Sequence, residues 1–198
     1  MDIWGHTKTI TKHRWLVMVH CFKMGLYLQG LVHDLSKYSP AEFIPGCRYY
    51  QGSRSPNNAE REDIGYSSAW MHHKGRNKHH FEYWNDLSLT ERGKVVPVRM
   101  PRKYVAEMAA DRIAACKVYR GAAYEQGAAY DYLIQGSSYT DPLMHADTLN
   151  ELKMILKMVK DQGEDYAFDY VKNVYLKSEG GGSEKPSAPE GPIEKYDV

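Results

Sequence analysis

The sequence predicts an all-α domain with one short interruption, and three observations predict it. Apolar residues return at the 3.6-residue helical period, first at Ile10, Trp15, Leu16, Val19, Phe22 and Leu26. Helix punctuation falls between such stretches, at Ser39-Pro40 and again at Pro101. Residues 85–101 lack the period, and "KVVPVRMP" within them reads as extended chain, one strand of a hairpin.

Element by element, the first helix is expected over 8–28. "GLYLQGLVHDLSKYSP" then supplies a short connection and a second helix, stopped by Ser39-Pro40. "SPAEF" opens a third, with Ser39 as cap and Pro40 in the first turn. Residues 51–63, "QGSRSPNNAERED", read as a polar loop, followed by a helix over about 64–74 that Gly75 and Asn77 interrupt before "KHHFEYW". After the irregular 85–101 segment, a helix runs from Pro101 to about residue 120, and amphipathic stretches cover 143–161 and 164–177. These place one domain over 1–177. From Ser178 the chain turns to Gly, Pro, Ser and Glu with almost nothing to bury, so 178–198 is expected to be a disordered, mildly acidic tail. No internal repeat is evident.

A chain of 198 residues can bury a real core in one domain. Its formal charge of +1 gives no global field for nucleic acid, although a local patch is left open. Cys21, Cys47 and Cys116 are widely spaced and odd in number, which favours buried thiols in a reducing compartment over disulfides or a thiolate zinc site. No apolar run approaches the ~20 residues of a membrane span, and "MDIWGHTKTITKHR" is too polar for a signal peptide. A soluble cytoplasmic protein is therefore expected, its oligomeric state left open. The 16 tyrosines exceed what a core requires, so some rings are expected to line a groove or cover helix surfaces.

The histidines are the strongest functional signal. Seven of the nine fall between positions 13 and 80, and imidazole is the commonest metal ligand. His33 and Asp34 are adjacent, so on a continuous helix they diverge by about 100°. Lys37 lies four residues beyond His33, one turn away on the same face. Such a triple is weak alone and can be a solvated turn. It gains weight from His13 one helix earlier, from "AWMHHKGRNKHHFEYW" with its doublets at 72–73 and 79–80, and from Asp111 in "YVAEMAADRIAAC". An acid on an Ala/Met/Ile face is costly unless paired or liganded. Imidazole with carboxylate suits a divalent transition metal such as Mn, Fe, Co, Ni or Zn, with Mg also admitted.

The order His13 … His33-Asp34-x-x-Lys37 … His73 … His79/His80 … Asp111 resembles the HD superfamily of metal-dependent phosphohydrolases. More closely, "HDLSKYSPAEF", "GRNKHHFEYW" and "EMAADR", within residues 10–120, resemble an HD-like family of bacteria and their phages. The resemblance implies an HD-type helical bundle and one or two metal ions. It puts His13, His33, Asp34 and Asp111 on the first ion and makes His73, His79 and His80 candidates for a second, with Asp34 bridging. One of His79 and His80 is open to contacting substrate instead. Lys37 would face a metal-bound oxygen or the phosphate of a small phosphorylated substrate such as a nucleotide, and Glu107 would support a ligand histidine. Arg76 and Lys78 are divided between phosphate binding and ordinary solvated charge. His20 is divided between ligand and interhelical packing, His13 being preferred; His72 reads as structural, and His6 and His145 receive no role. "HHFEYW" stands where the binuclear cyclic-dinucleotide hydrolases carry Gly-Tyr-Pro, so the resemblance does not extend to that substrate. The activity implied is hydrolysis of a phosphate ester by metal-activated water, with Asp34, Lys37 and Arg76 at its centre. Two alternatives remain at this point: a di-iron oxygenase of the same fold, and a non-catalytic nucleotide- or partner-binding protein.

Overall fold

In the computed structural model, which describes residues 1–179, Asp2 opens the first helix by accepting the Gly5 N–H at 2.8 Å. Helix α1 runs Ile3–Lys23, five residues earlier than expected, because its first turn is set by this cap and leaves Ile3 and Trp4 exposed outside the apolar stripe. Gly25, at φ +79°, turns the chain into α2, Tyr27–Val32.

The expected helix through Ser39 is overturned at the His-Asp pair. His33 is extended (ψ 127°) and Asp34 is left-handed (φ 54°), the sole non-glycine residue of positive φ among the described residues. Asp tolerates this region better than most side chains. Arg14 steadies the break, donating from Nε to the His33 carbonyl at 2.8 Å and from Nη2 to the Leu31 carbonyl at 3.2 Å. Residues Leu35–Tyr38 follow as a 3-10 turn, then α3, Pro40–Arg48.

The expected polar loop at 51–63 is also corrected, since Pro56–Ile64 forms α4. Ser55 caps it, Pro56 occupies its first turn and Gly65 ends it at φ 84°. Only Ala59 and Glu60 are buried there, so no apolar stripe marks the helix. Glu60 ties it to α5, Ser68–Lys74, by accepting both the Ser67 and Ser68 hydroxyls at 2.6 Å. An antiparallel hairpin follows as expected, β1 Asn85–Leu87 against β2 Val95–Pro97, with Asp86 opposite Val96.

Helix α6, Arg102–Arg120, is the centre of the fold. Val105, Met108, Ala109, Ala110, Ile113 and Ala114 are all buried, more than one face of a surface helix would hide. It packs against α1 and also against α7, Ala128–Gln135, and α9, Ala146–Gln162. Helix α7 and the short α8, Ser137–Thr140, were not anticipated. Leu152, Ile155 and Leu156 of α9 join Phe168 of α10, Glu164–Tyr170, in one contiguous core. A π-helical turn, Val171–Tyr175, extends α10, and Lys177–Glu179 closes with a 3-10 turn where Arg102 reaches Ser178 Oγ. The tail expected over 178–198 lies outside the described residues from residue 180 on. The fold is all-α with one small hairpin. Among the described residues no helix is long and apolar enough to cross a membrane, and all three cysteines are free.

Candidate metal centre

Five segments deliver imidazoles and carboxylates to one buried region. His13 comes from the middle of α1, His33 and Asp34 from the break after α2, and Asp111 from the middle of α6. His73 stands on the last turn of α5, with His79 and His80 on the turn before Phe81–Tyr83. Because the chain leaves helical geometry at His33, the adjacent His and Asp side chains converge where a helix would have separated them. Asp34 Oδ2 lies 3.5 Å from His13 Nε2 and 3.4 Å from His33 Nε2, while Oδ1 lies 3.2 Å from His73 Nε2 and 3.3 Å from His79 Nε2. Asp111 Oδ1 completes the first group, 3.0 Å from His13 Nε2 and 3.7 Å from His33 Nε2. The donor atoms thus fall into a His13–His33–Asp34–Asp111 group and an Asp34–His73–His79–His80 group, which share one carboxylate.

These contacts are close without being hydrogen bonds. Nε2 of His13, His33, His79 and His80 and Oδ1 of Asp34 are buried and lack a hydrogen-bond partner, while Asp34 Oδ2 meets the Lys37 ammonium. Buried polar atoms left so cost about 1–3 kcal/mol each, so a cluster of them needs an explanation. The spacing supplies one. Ligand bonds of about 2.1 Å set neighbouring donors about 3.0 Å apart in an octahedron and about 3.4 Å in a tetrahedron. The observed 3.0–3.7 Å begins in that range and exceeds it by at most 0.3 Å, as expected of donors grouped about a common point. Both groups could hold a divalent ion.

Two outer carboxylates fix the rings. Glu107 Oε1 is 2.9 Å from His33 Nδ1 and 3.1 Å from His79 Nδ1. A carboxylate only accepts, so these Nδ1 atoms carry the protons and Nε2 keeps its lone pair. With its oxygen so engaged, Glu107 is an orienting group, although it lies near enough to His33 and His79 to form a third ligand set. Glu42 does the same for the other side, with Oε2 at 2.7 Å from His73 Nδ1 and Oε1 at 2.7 Å from His72 Nδ1. Sequence reasoning missed Glu42. The available signal was arithmetic: each ligand imidazole needs an acceptor behind it, and one Glu107 could not serve them all.

With only the protein's charges acting, burial would raise the Asp34 pKa, but His33, Lys37 and His73 overcome it and hold the carboxyl well below its usual range. Burial likewise opposes charge on His33, and Asp34 and Asp111 reverse it upward. His80 goes the other way: burial, then its neighbours His79 and His73, keep it neutral and free to donate a lone pair.

Lys37 was expected one turn along a helix from His33. It instead sits over Asp34, since the 3-10 turn aligns residues three apart, with Nζ 2.6 Å from Oδ2. Burial would lower its pKa, but Asp34 and Asp111 raise it, so the ammonium stays charged. Beside it lies a cavity of about 70 Å³ lined by Lys37, His73, Thr9, Asn57, His6 and Tyr119. His6, which the sequence left without a role, faces this cavity, and burial with Lys37 nearby lowers its pKa to about 4. Tyr119 could have been found: Glu107, Asp111 and Tyr119 stand on one row of α6 at spacings of four and eight.

The remaining sequence candidates lie elsewhere. Arg76 is exposed and folds back on the His72 carbonyl at 3.3 Å, because the turn after α5 directs it to solvent. Lys78 is also exposed, over the rings of Tyr83 and Tyr104. Neither is drawn into the cluster. The His72 ring meets Glu42 and its carbonyl accepts from Arg76, and His145 caps α9 by accepting the Asp147 N–H at 3.2 Å. His20 packs on Phe168 at the α1–α10 seam, with ring centroids 5.2 Å apart.

Residues 2–158 match a family of unknown function, DUF5662. No curated protein and no solved structure matches the chain.

Proposed function

We propose that this chain, which belongs to the DUF5662 family, is a metal-dependent phosphohydrolase acting on a nucleotide or another small phosphate ester. One observation carries the reading: two sets of close-set imidazole and carboxylate donors, most of them buried and unpartnered, share Asp34, and a charged Lys37 stands beside that carboxylate and lines a small cavity. One or two divalent ions bound by these sets would acidify a water and offset phosphoryl charge. His13, His33, Asp34 and Asp111 would hold one ion, and His73, His79 and His80 with Asp34 the other. Glu107 and Glu42 keep the imidazole Nε2 atoms free and aimed. Lys37 supplies a fixed positive charge where negative charge develops on phosphoryl oxygens. The cavity beside it suits a phosphoryl-sized group and is far below the ~300 Å³ at which pockets for whole organic ligands begin. The leaving group therefore remains outside it. No serine or cysteine nucleophile is required.

Metal analysis of the purified protein, followed by a phosphatase and phosphodiesterase panel with Mn, Co, Ni, Zn, Mg and Fe, tests this. Bound metal with metal-stimulated release of phosphate or nucleotide is the expected result. Retained iron with oxygen consumption and no hydrolysis with any ion would replace the reading by a di-iron oxygenase. A tightly kept ligand with no turnover would make the chain a binding protein.

A further inference from the structure

On the far side of the His79–His80 turn lies a second, larger cavity of about 380 Å³, within the ~300–1,000 Å³ typical of organic-ligand pockets. It shares no lining residue with the small cavity at Lys37. Phe81 and Glu82 enter it from the 3-10 turn that follows the paired histidines, and Arg112 enters from α6, one residue after Asp111. Tyr132, Leu133 and Gln135 of α7 form the opposite wall.

Most of the wall is apolar, and Phe81 and Leu133 are buried behind it. Two polar atoms lie just behind that surface. Arg112 Nε and Glu82 Oε2 are both buried, and neither has a hydrogen-bond partner. Both residues line the cavity, so their side chains are within reach of an occupant, and leaving these atoms unmet is costly. One is a cation that only donates and the other a carboxylate that accepts. An anionic ligand would be repelled by Glu82 and a cationic one by Arg112. A neutral occupant bearing a hydrogen-bond acceptor and a donor side by side answers both charges. With Phe81 and Tyr132 supplying aromatic wall, the body of that occupant is flat and apolar on its faces.

We propose that this cavity binds a nucleobase-type heteroaromatic ring, whose edge acceptor takes a hydrogen bond from Arg112 and whose adjacent N–H donates to Glu82. The site is separate from the metal cluster and does not require that cluster to be catalytic. It abuts the cluster through the His80–Phe81–Glu82 and Asp111–Arg112 connections, which places a ligand of this class next to the metal ligands without touching them.

Titration of the full chain with guanosine, adenosine and cytidine, which carry no phosphate, followed by calorimetry and saturation-transfer NMR, tests the inference. At least one nucleoside should saturate in the micromolar to low-millimolar range. Its affinity should fall at least tenfold in Arg112→Met and in Glu82→Gln. Tyr132 is 63% exposed, so Tyr132→Ala keeps the test open should either charge variant fail to fold. It should weaken binding several-fold, with transfer from its ring to the base lost. Binding should survive in Asp34→Asn and after chelator treatment, so failure of the hydrolase reading leaves this result intact. The proposal is overturned if no nucleoside saturates by a few millimolar, or if one does with equal affinity in the folded variants among these three. It is equally overturned if inorganic phosphate competes with the nucleoside, which would make the ligand an anion.

Discussion

Lys37 Nζ lies 2.6 Å from Asp34 Oδ2, one 3-10 turn along the chain, so the carboxylate shared by both ligand groups is also held by a cation that cannot bind metal. This separates charge compensation from ligation. Lys37→Met should leave metal content unchanged while lowering kcat/KM for a phosphate ester by about 10²–10³, the scale of removing one preorganised donor. Lys37→Arg should recover part of it. Loss of the metal together with the activity would show Lys37 to be structural.

Asp34 carries a second burden in its backbone. At φ 54° it stands where Asn is tolerated and Ala strained. Asp34→Asn and Asp34→Ala should both abolish stoichiometric metal binding. The alanine variant should melt lower than the asparagine one, by about 2–8 °C for about 1–2 kcal/mol of strain in a chain of this size. Equal melting temperatures in thermal denaturation would show that the left-handed conformation relaxes at no cost.

Glu42 gives the sharpest test of the outer carboxylates, since it holds His73 and His72 with separate oxygens at 2.7 Å. Glu42→Gln should weaken metal binding by about 10–100-fold, as losing such partners typically does. His72→Ala should leave it nearly unchanged, because His72 has no place in either ligand group. Competition titration against a chromophoric chelator reads both. A similar loss in the two variants would mean that Glu42 acts through the packing of α3 on α5 rather than through His73.

What was legible in the sequence follows from which signals are local. The all-α class and the long α6 are periodic, and periodicity survives without tertiary information. The convergence of His13, His33, Asp34 and Asp111 is a property of geometry, but imidazoles and an acid on an apolar helix left it visible as composition. The break at His33 was not visible, because it is stabilised from α1 by Arg14 and by a backbone conformation that Asp permits without demanding. Helix α4 escaped notice since it buries only Ala59 and Glu60, and α7 because eight residues offer too little pattern. Glu42 stood in plain view in "SPAEF", but a first-turn acid is ordinarily a dipole partner, and only the fold turns it toward His73.

His20 carries the pH dependence that can be isolated from the metal cluster. Its Nε2 is 3.2 Å from Lys117 Nζ, which only donates, so Nε2 accepts and Nδ1 faces the Ala110 carbonyl at 3.4 Å. Burial first, and Lys117 next, lower its pKa from 6.5 to about 4, with Glu164 acting in the opposite sense. The folded pKa lies below the unfolded one. The neutral ring's contribution is therefore fully present above about pH 6.5 and is lost as pH falls toward 4, when the unfolded chain binds a proton that the folded chain refuses. Within that window the loss approaches about 1.4 kcal/mol per pH unit. His20→Gln should remove this component, so the slope of unfolding free energy between pH 6 and pH 4.5, measured by urea denaturation, should be shallower by about that amount (~1.4 kcal/mol per unit). The variant will also be less stable at neutral pH through lost contact with Phe168, which shifts the whole curve without altering its slope. An unchanged slope would mean that the ring takes up its proton in the folded state, with Glu164 rather than Lys117 governing it.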